Sequence, residues 1–373
     1  MKNKISIFGT SKKKSEKRIP LHPSMFNRLD EDLKRSIFFE EDYGKELGIT
    51  NDSLQNDFGG ILPREELFSK GDVWVLPKPD DEDYRYFSPG KILWGWSHCV
   101  QGNNITQAAI NNKMTIVAWE AMYGGNDNCH IFYRNNELAG YAAIQHMMML
   151  VGRNGYFGNK LKAAVLGFGA SARGAISSLK SLGIDDVTVY SKRPSYLISA
   201  PIQNIDYQNL KIIDGECYLS KDNAYLESAI VLSTYDVIVN CVLQDPINPL
   251  VFMNQNDLSN INKQLDIVDI SCDKGMGFEF AVPTTFESPL IKPTSFVNYY
   301  SVDHTPNLYW NSASYEISKS VIDFIALFST NDWLKNDTLK NATEILMGDI
   351  LNKKILTFQS RQSSYPYHYN AKM

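Results

Sequence analysis

The sequence of 373 residues has no excess of basic charge, no long apolar run and few cysteines. Its formal net charge of −5 argues against a broad basic surface, so we expect neither nucleic acid nor a membrane surface as a partner. The short basic cluster at residues 12–17 is typical of a solvated loop beside a site. No apolar run approaches the roughly 18 residues of a membrane-spanning helix, and no signal peptide is evident. We therefore expect a soluble, cytoplasmic protein.

The five cysteines show no C-x-x-C or C-x-x-H spacing, which argues against a disulfide framework and against a zinc site. An odd, unpatterned set of cysteines in a large domain is typical of reduced thiols. No spacing typical of metal ligands relates the histidines His22, His130, His146 and His368. The sequence therefore predicts no bound metal.

The most informative stretch is a glycine-rich turn within residues 162–194. An apolar run at 163–166 predicts a buried parallel strand, and apolar side chains three or four apart predict a helix over 170–182. Between them, G-x-G-x-x-A allows a tight turn, close approach of a pyrophosphate, and close packing of helix on strand. We interpret this as a dinucleotide site, the alternative being an ordinary tight turn. The predicted cofactor-binding residues here are Gly167, Gly169, Ala170, Ser171 and Ala172.

The end of the next predicted strand, at 187–190, indicates which dinucleotide binds. NAD sites usually place a carboxylate there to bond the ribose hydroxyls, whereas this chain has Ser191, Lys192 and Arg193. A hydroxyl and two cations suit a 2′-phosphate, which a carboxylate would repel. We predict NADP(H) over NAD(H); the alternative is a solvated basic loop. A later predicted strand, at 236–242, adds the expected cofactor contacts Cys241, Val242 and Leu243.

Strand and helix patterns alternate from the start of the chain, which is typical of a parallel α/β fold. The strands after the glycine-rich turn predict a doubly wound sheet, whose ligands bind at the carboxyl ends of its strands. A cofactor domain inserted between an N-terminal domain and a returning C-terminal helix explains this order. The other predicted strands are 4–8, 37–41, 73–76, 92–96 and 265–270, and the other predicted helices are 23–33, 107–112, 138–151 and 314–327.

Several longer motifs are shared with a known family. They are EKRIPLHP, GFGASARG, WGWSHCVQ (94–101), VAWEAMY (117–123), FYRNNELAG (132–140), VDISCDKGMGFEF (268–280) and VDHTPNLYW (302–310). In these motifs the chain resembles the N(5)-(carboxyethyl)ornithine synthases, within the wider alanine dehydrogenase and saccharopine dehydrogenase family. The resemblance ends near residue 327, and we assign no site to the C-terminal extension at 331–373.

The resemblance implies two Rossmann-like, doubly wound domains with an interdomain cleft. A discontinuous substrate domain would comprise 1–138 and 304–373, and an NADP-binding domain 139–303. The implied enzyme is an oxidoreductase acting on CH–NH groups, which condenses pyruvate with the side-chain amine of ornithine or lysine using NADPH. Its partners would be small-molecule substrates, and it would be a homo-oligomer. The alternatives are saccharopine dehydrogenase, alanine dehydrogenase and an NADP-binding regulatory protein without activity.

The implied reaction needs a cation for each carboxylate, a proton carrier for loss of water, and an ordered nicotinamide face. A guanidinium binds a carboxylate in bidentate fashion, while imidazole and a partly buried lysine can carry protons. The alternatives are a surface salt bridge, a solvated lysine and a core histidine. Glu120 is expected to pair with the substrate ammonium or with His98. The predicted catalytic residues are Lys78, His98 and Asp273, and the predicted substrate-binding residues are Arg18, Glu120, Arg134, Asp303 and His304.

Overall fold

The computed structural model describes residues 2–9, 15–124, 128–245 and 248–370. The basic cluster predicted as a solvated loop therefore lies partly outside the described residues, since 12–14 are not among them. The chain divides into two compact units. The first unit comprises Met1–Tyr133 and Trp310–Met373, and the second unit comprises Arg134–Tyr309.

The strands are short and mostly buried. In chain order they are β1 (Ile5–Ile7), β2 (Ile37–Glu40), β3 (Gly60–Leu62), β4 (Val73–Val75), β5 (Ile92–Gly95), β6 (Thr115–Ala118), β7 (Tyr123–Gly124), β8 (Cys129–His130), β9 (Lys162–Leu166), β10 (Asp186–Ser191), β11 (Asp206–Ile213), β12 (Glu216–Lys221), β13 (Ala224–Glu227), β14 (Val237–Asn240), β15 (Val251–Met253), β16 (Leu265–Asp269), β17 (Gly277–Phe278), β18 (Leu290–Ile291), β19 (Val297–Tyr300), β20 (Thr343–Leu346) and β21 (Asp349–Ile350).

The helices alternate with these strands. They are α1 (Glu31–Lys34), α2 (Asn51–Asp57), α3 (Arg64–Lys70), α4 (Asn103–Asn111), α5 (Tyr133–Val151), α6 (Ala170–Ser181), α7 (Ser228–Leu232), α8 (Trp310–Ser329), α9 (Asp337–Asn341) and α10 (Lys353–Phe358). Short 3₁₀ helices lie at Pro23–Arg28, Lys45–Leu47, Asp83–Tyr86, Trp119–Ala121, Ser195–Leu197, Asp257–Asn260, Thr305–Tyr309 and Trp333–Lys335.

The first unit is built on a sheet whose strand order is β21-β20-β6-β5-β4-β1-β2-β3. Strands β1 to β6 pair in parallel, in the doubly wound order of a Rossmann fold. The C-terminal segment then adds β20 antiparallel to β6, and β21 antiparallel to β20. Apolar side chains cover both faces of the sheet, as parallel sheets require.

The second unit repeats this topology. Its parallel strands run β11-β10-β9-β14-β16-β19, which is again the Rossmann order. A hairpin of β12 and β13 extends one edge, and β18 pairs antiparallel with β19 at the other. Two buried apolar clusters form the core of this unit. The prediction of an α/β fold with two Rossmann-like, doubly wound domains is confirmed.

Element boundaries differ from the prediction mainly where a local capping group intervenes. The helix expected at 23–33 is divided, because Leu29 and Asp30 are extended and the Asp30 carboxylate accepts the Leu33 N–H to begin α1. The helix expected at 138–151 begins earlier, at Tyr133. The strand expected at 236–242 ends at Asn240, which leaves the following residues in a loop. Among the described residues, none of the helices combines the length and apolarity that crossing a lipid bilayer requires.

Candidate active site

In the first unit, four predicted site residues follow the carboxyl ends of neighbouring parallel strands. Arg18 follows β1, Lys78 follows β4, His98 follows β5 and Glu120 follows β6, and these strands are adjacent in the sheet. Ligands of doubly wound sheets bind beyond the carboxyl ends of the strands. The fold therefore brings these four residues to the same edge of one sheet.

The guanidinium of Arg18 is buried and already has a carboxylate partner in the chain. Its Nε donates to Glu16 Oε1 at 2.7 Å and its Nη2 donates to Glu16 Oε2 at 2.6 Å. The Lys78 Nζ lies 4.0 Å from Glu16 Oε2, and the Arg18 Cζ lies 5.1 Å from the centre of the Trp96 ring. Arg18 is thus held rigidly, with one side of its fork occupied by Glu16.

Glu16 is the residue of this cluster to which sequence reasoning gave no role. Its side chain is only 1% exposed. Burial alone would raise the pKa of Glu16, but the hydrogen bonds and charge of Arg18 and the charge of Lys78 outweigh it, so the pKa falls to about 2. The E-x-R spacing was the available signal, because side chains two apart in an extended segment point the same way.

His98 has an exposed side chain and a backbone fixed by Glu120. Its φ of +48° lies in the left-handed region, and its N–H donates to Glu120 Oε1 at 2.5 Å. The imidazole Nδ1 lies 3.8 Å from the same oxygen, and 58% of the side chain is exposed. Glu120 therefore contacts His98, which was one of its two expected partners.

The Glu120 carboxyl is unusual in its surroundings. The side chain as a whole is 26% exposed, yet its Oε2 is buried and has no hydrogen-bond partner among the described residues. Burial raises the pKa of Glu120 to about 7, although the N–H groups of His98 and Ser97 favour the anion. Glu120 can therefore hold a proton near neutral pH.

In the second unit, the glycine-rich turn has the geometry of a phosphate-binding turn. Gly167 has φ +91°, and a Cβ on it would lie 3.2 Å from the Cys241 carbonyl oxygen. Gly169 precedes α6, and a Cβ there would meet nothing within 4 Å. The N–H groups of Ala170, Ser171 and the buried Ala172 belong to the first turn, where an α-helix leaves its donors without helical partners. Open space thus faces a helix N-terminus.

A cavity of about 190 Å³ adjoins this turn. Its lining combines residues that follow β9, β14 and β16. The structure therefore brings one predicted catalytic residue together with predicted cofactor contacts. The lining residues are Ser171, Cys241, Val242, Leu243, Gln244, Ile270, Ser271 and Asp273.

A second cavity, of about 210 Å³, also adjoins the turn, and its lining includes Gly169, Ser191 and Arg193. It also contains Arg173, which sequence reasoning missed. The Arg173 guanidinium lies 4.3 Å from the centre of the Phe168 ring and donates to the backbone carbonyl oxygens of 199 and 200. The available signal was its position four residues after Gly169, one helical turn along α6.

Lys192 is not part of that lining. Its charge acts instead on the Cys217 thiol, whose pKa burial raises and Lys192 lowers. β10 ends at Ser191, and the Arg193 N–H donates to the Ser191 Oγ at 3.1 Å, so the chain turns at Lys192. Of the three residues predicted to bind a 2′-phosphate, two line the cavity.

The other predicted substrate residues are paired locally in the second unit. Arg134 forms an ion pair with Glu137 in the first turn of α5, and 66% of its side chain is exposed. Asp303 bonds the Nδ1 of His304, whose Nε2 is buried without a hydrogen-bond partner among the described residues. His304 packs edge-on against Phe286. Asp303 and His304 follow β19 and so belong to the same sheet edge as the glycine-rich turn.

A buried polar network, also missed, fixes the loops of this edge. Asp269 at the end of β16 accepts hydrogen bonds from Asn240 Nδ2 at 3.0 Å, Tyr299 Oη at 2.7 Å and the Ser271 N–H at 3.1 Å. Burial raises the pKa of Asp269 to about 7 despite these donors. The network joins β14, β16 and β19 directly below the loops that carry Val242 and the other cavity residues. The sequence feature that could have revealed this network is the aspartate within the apolar strand segment VDI.

The residues of the second unit fit a nicotinamide dinucleotide. The space in front of Gly169 would be filled by a Cβ, and the neighbouring cavity contains two guanidinium groups and no carboxylate. The glycine turn and the helix N-terminus suit the pyrophosphate, and the cavity beside them suits the adjoining ribose. Within the described part of the chain, no group of three His, Cys, Asp or Glu side chains could hold a metal ion.

Two family models match the chain. The alanine dehydrogenase/PNT N-terminal domain matches residues 10–139, and the alanine dehydrogenase/PNT C-terminal domain matches residues 137–353. The chain belongs to the alanine dehydrogenase/PNT family. Members of this family bind nicotinamide dinucleotides, and the chain is a dehydrogenase-type oxidoreductase.

Relatives and solved structures agree with this assignment. N(5)-(carboxyethyl)ornithine synthase of Lactococcus lactis subsp. lactis (strain IL1403) is 26% identical over 82% of this chain and 90% of its own length. Alanine dehydrogenase 1 of Staphylococcus aureus (strain MRSA252) is 19% identical over 92% of this chain and 94% of its own. A solved L-alanine dehydrogenase, 16% identical, superposes with a TM-score of 0.76 over 95% of this chain and 98% of that chain. The resemblance predicted from the motifs is confirmed.

Proposed function

We propose that this chain condenses pyruvate with the side-chain amine of ornithine or lysine and reduces the product with NADPH. The observation that supports this most is that Arg18, Lys78 and His98, two cations and an exposed imidazole, all follow the carboxyl ends of adjacent strands of one sheet. The similarity of this chain to the N(5)-(carboxyethyl)ornithine synthase of L. lactis, over most of both chains, supports the choice of substrates.

The chemistry assigns a task to each group. The amine adds to the carbonyl carbon of pyruvate, and loss of water gives an imine, so one proton must reach the leaving hydroxyl and another must leave the nitrogen. His98 moves these protons, because an imidazole accepts and donates near neutral pH. Lys78 and the side of the Arg18 fork not used by Glu16 hold the pyruvate carboxylate. NADPH, when bound, supplies the hydride that reduces the imine carbon.

The remaining residues have supporting roles in this proposal. Glu120 fixes His98 rather than binding the substrate ammonium, since its Oε1 accepts the His98 N–H. Asp273 lines the cavity beside the glycine-rich turn and faces the nicotinamide. Arg134 serves as a second carboxylate clamp, while Asp303 and His304 border the substrate.

The preference for NADP(H) is supported by the cavity that Ser191, Arg173 and Arg193 line. Guanidinium groups form strong, charge-assisted hydrogen bonds to phosphate. Lys192 does not line this cavity, so the proposal depends on Arg193 and Arg173 rather than on the basic pair in the sequence.

The experiment that tests this function follows NADPH oxidation by absorbance, with pyruvate and ornithine, lysine or ammonium in separate reactions. Parallel reactions contain NADH in place of NADPH, or 2-oxoglutarate in place of pyruvate. We expect oxidation with pyruvate and a diamino acid, faster with NADPH than with NADH. His98→Ala is the matched control and should lose most of the turnover.

The other outcomes identify the alternatives. Turnover only with 2-oxoglutarate and lysine would indicate a saccharopine dehydrogenase, and turnover with pyruvate and ammonium an alanine dehydrogenase, as in the S. aureus relative. Binding of NADPH without turnover of any pair would favour a regulatory protein. The homo-oligomer implied by the resemblance stays a prediction, which light scattering of the purified chain tests.

A further inference from the structure

The C-terminal segment, to which the sequence assigned no site, packs against the loop that carries His98. Strand β20 pairs with β6, and the Ala118 N–H donates to the Ala342 carbonyl at 2.8 Å. Further along, Gln359 Nε2 donates to the Cys99 carbonyl at 2.7 Å and to the Val100 carbonyl at 3.2 Å. The segment therefore holds the residues directly after His98.

Glu344 on β20 is the buried acid that this segment contributes. Only 4% of the residue is exposed. Its Oε1 accepts a hydrogen bond from Asn352 Nδ2 at 2.9 Å, while its Oε2 is buried and has no hydrogen-bond partner among the described residues. Glu120 likewise has a buried Oε2 without such a partner, on the strand end beside β20. Two carboxyl groups thus each retain one unsatisfied oxygen in the same region.

The two acids act on each other. Burial, and after it the charge of Glu120, raises the pKa of Glu344 to about 7. Two buried carboxyl groups that interact lose their protons in two steps, because neither anion is solvated and their charges repel. One proton therefore stays on the pair up to about pH 7.

The other groups facing the pair do not neutralise it. The Cys99 thiol lowers the pKa of Glu344, and Lys354 lowers it from an exposed position, where water screens its charge. On the Glu120 side lie the His98 imidazole and His130, whose Nε2 is 3.2 Å from the Glu120 carbonyl oxygen. A proton is the remaining way to compensate one of the two negative charges.

We propose that Glu344 is a positioning residue that shares one proton with Glu120, so that Glu120 keeps its place as the acceptor of the His98 N–H. The shared proton satisfies both orphan Oε2 atoms and reduces the buried charge from two to one. Its catalytic consequence rests on the proposed function of His98 as proton carrier, but the pair itself does not. Glu344 comes from the C-terminal segment, so that segment becomes part of the site.

Infrared spectroscopy of the full chain in D₂O tests for the shared proton, because a protonated carboxyl has its own C=O stretching band. We expect wild type to keep such a band at pH 6 and lose it as the pH rises through about 7. Glu344→Gln should have less of this intensity at pH 6, because one of the two carboxyl groups is gone and the amide that replaces it can donate to the Glu120 anion. Asp269 contributes a band of its own in both proteins. The test is therefore the difference in band intensity between wild type and Glu344→Gln.

Glu65→Gln is the matched control, since Glu65 is an exposed acid on α3 of the same unit and should leave the difference spectrum flat. Equal band intensity in wild type and Glu344→Gln would overturn the proposal. If Glu344→Gln does not fold, Asp269→Asn removes the other buried acid, and absence of any protonated-carboxyl band at pH 6 in that variant contradicts a shared proton.

The second readout is the titration of His98, followed by NMR of the chain labelled in its histidines. In Glu344→Gln, Glu120 carries more of the negative charge than in wild type, 3.8 Å from the His98 Nδ1, so we expect the apparent pKa of His98 to rise. No shift, or a fall, would contradict the proposal. Neither measurement uses substrate, so an inactive chain would refute the proposed function and leave this inference standing.

Discussion

At the residue scale, neighbours change what a side chain of given type can do. Residue type alone assigns Arg18 to a substrate carboxylate and Lys192 to a phosphate. In the structure, Glu16 occupies one side of the Arg18 fork, and Lys192 acts on Cys217 rather than lining the cavity. Arg173 lines that cavity although the sequence pattern gave it no role. Spacing along the chain does not report which face of a segment meets the ligand.

Substitution of Arg193 tests the cofactor preference at this scale. Arg193→Ala should weaken NADPH binding about 10- to 100-fold, since hydrogen bonds to charged groups contribute about 1.5–3 kcal/mol. NADH binding should barely change, because NADH lacks the 2′-phosphate. Titration of cofactor fluorescence measures both affinities.

Lys192→Ala is the matched control for Arg193→Ala. It removes an adjacent charge that does not line the cavity, so its effect on NADPH affinity should be several-fold smaller. An equal loss in the two variants, or an equal loss for NADH, would show that a general positive field and not a phosphate contact favours NADPH.

At the element scale, the two glycines of the turn between β9 and α6 are needed for different reasons. One provides a backbone conformation and the other leaves space. Gly167 needs its positive φ of +91° to make the turn. Gly169 does not, because its φ is −89° and nothing lies within 4 Å of a Cβ there. The fold therefore does not require glycine at position 169, whereas a bound pyrophosphate requires the space that a Cβ would fill.

Two alanine substitutions separate these requirements. Gly169→Ala should leave the free energy of unfolding within about 0.5 kcal/mol of wild type but weaken NADPH binding at least several-fold. Gly167→Ala should destabilise the second unit by about 1–2 kcal/mol, because alanine is strained at positive φ. Urea unfolding followed by circular dichroism, together with cofactor titration, measures both. Undiminished NADPH affinity in Gly169→Ala would place the pyrophosphate elsewhere.

At the scale of the whole molecule, Glu16 links acid stability to the first unit. Its pKa of about 2 in the folded chain is below the ordinary value of 4.5. The stability that this group contributes is therefore present above about pH 4.5 and is lost as the pH falls toward 2. The difference corresponds to about 3 kcal/mol. All six tryptophans lie in the first unit, so their fluorescence reports its unfolding.

Glu16→Gln tests this contribution. The variant should be less stable than wild type above pH 5, because the Arg18 guanidinium is left buried without its carboxylate. The gap in free energy of unfolding should narrow by about 3 kcal/mol between pH 5 and pH 2. Urea unfolding followed by tryptophan fluorescence measures it, with Glu65→Gln as the exposed control. If the difference in free energy of unfolding between wild type and Glu16→Gln does not change with pH, the ion pair of Glu16 with Arg18 does not contribute this stability.

Much of the fold could be predicted from the sequence, because the signals are local. The strands β1, β4, β5 and β9 are short apolar runs, and the Rossmann turn has its own glycine pattern. The β11–β13 extension and the C-terminal strands were not predicted. Their sequences mix polar and apolar residues without regular alternation, and they form strands by pairing with a neighbouring strand.

The sequence by itself determined the two parallel sheets, the dinucleotide turn and the residue types at the strand ends. Those features depend on side chains within a few positions of one another, so periodicity and motif reveal them. Only the tertiary structure decided that Glu16 pairs with Arg18, that Arg173 replaces Lys192 in the cavity lining, and that Glu344 lies near Glu120. Residues 120 and 344 are distant in the chain and meet because β20 pairs with β6, and desolvation there sets their protonation.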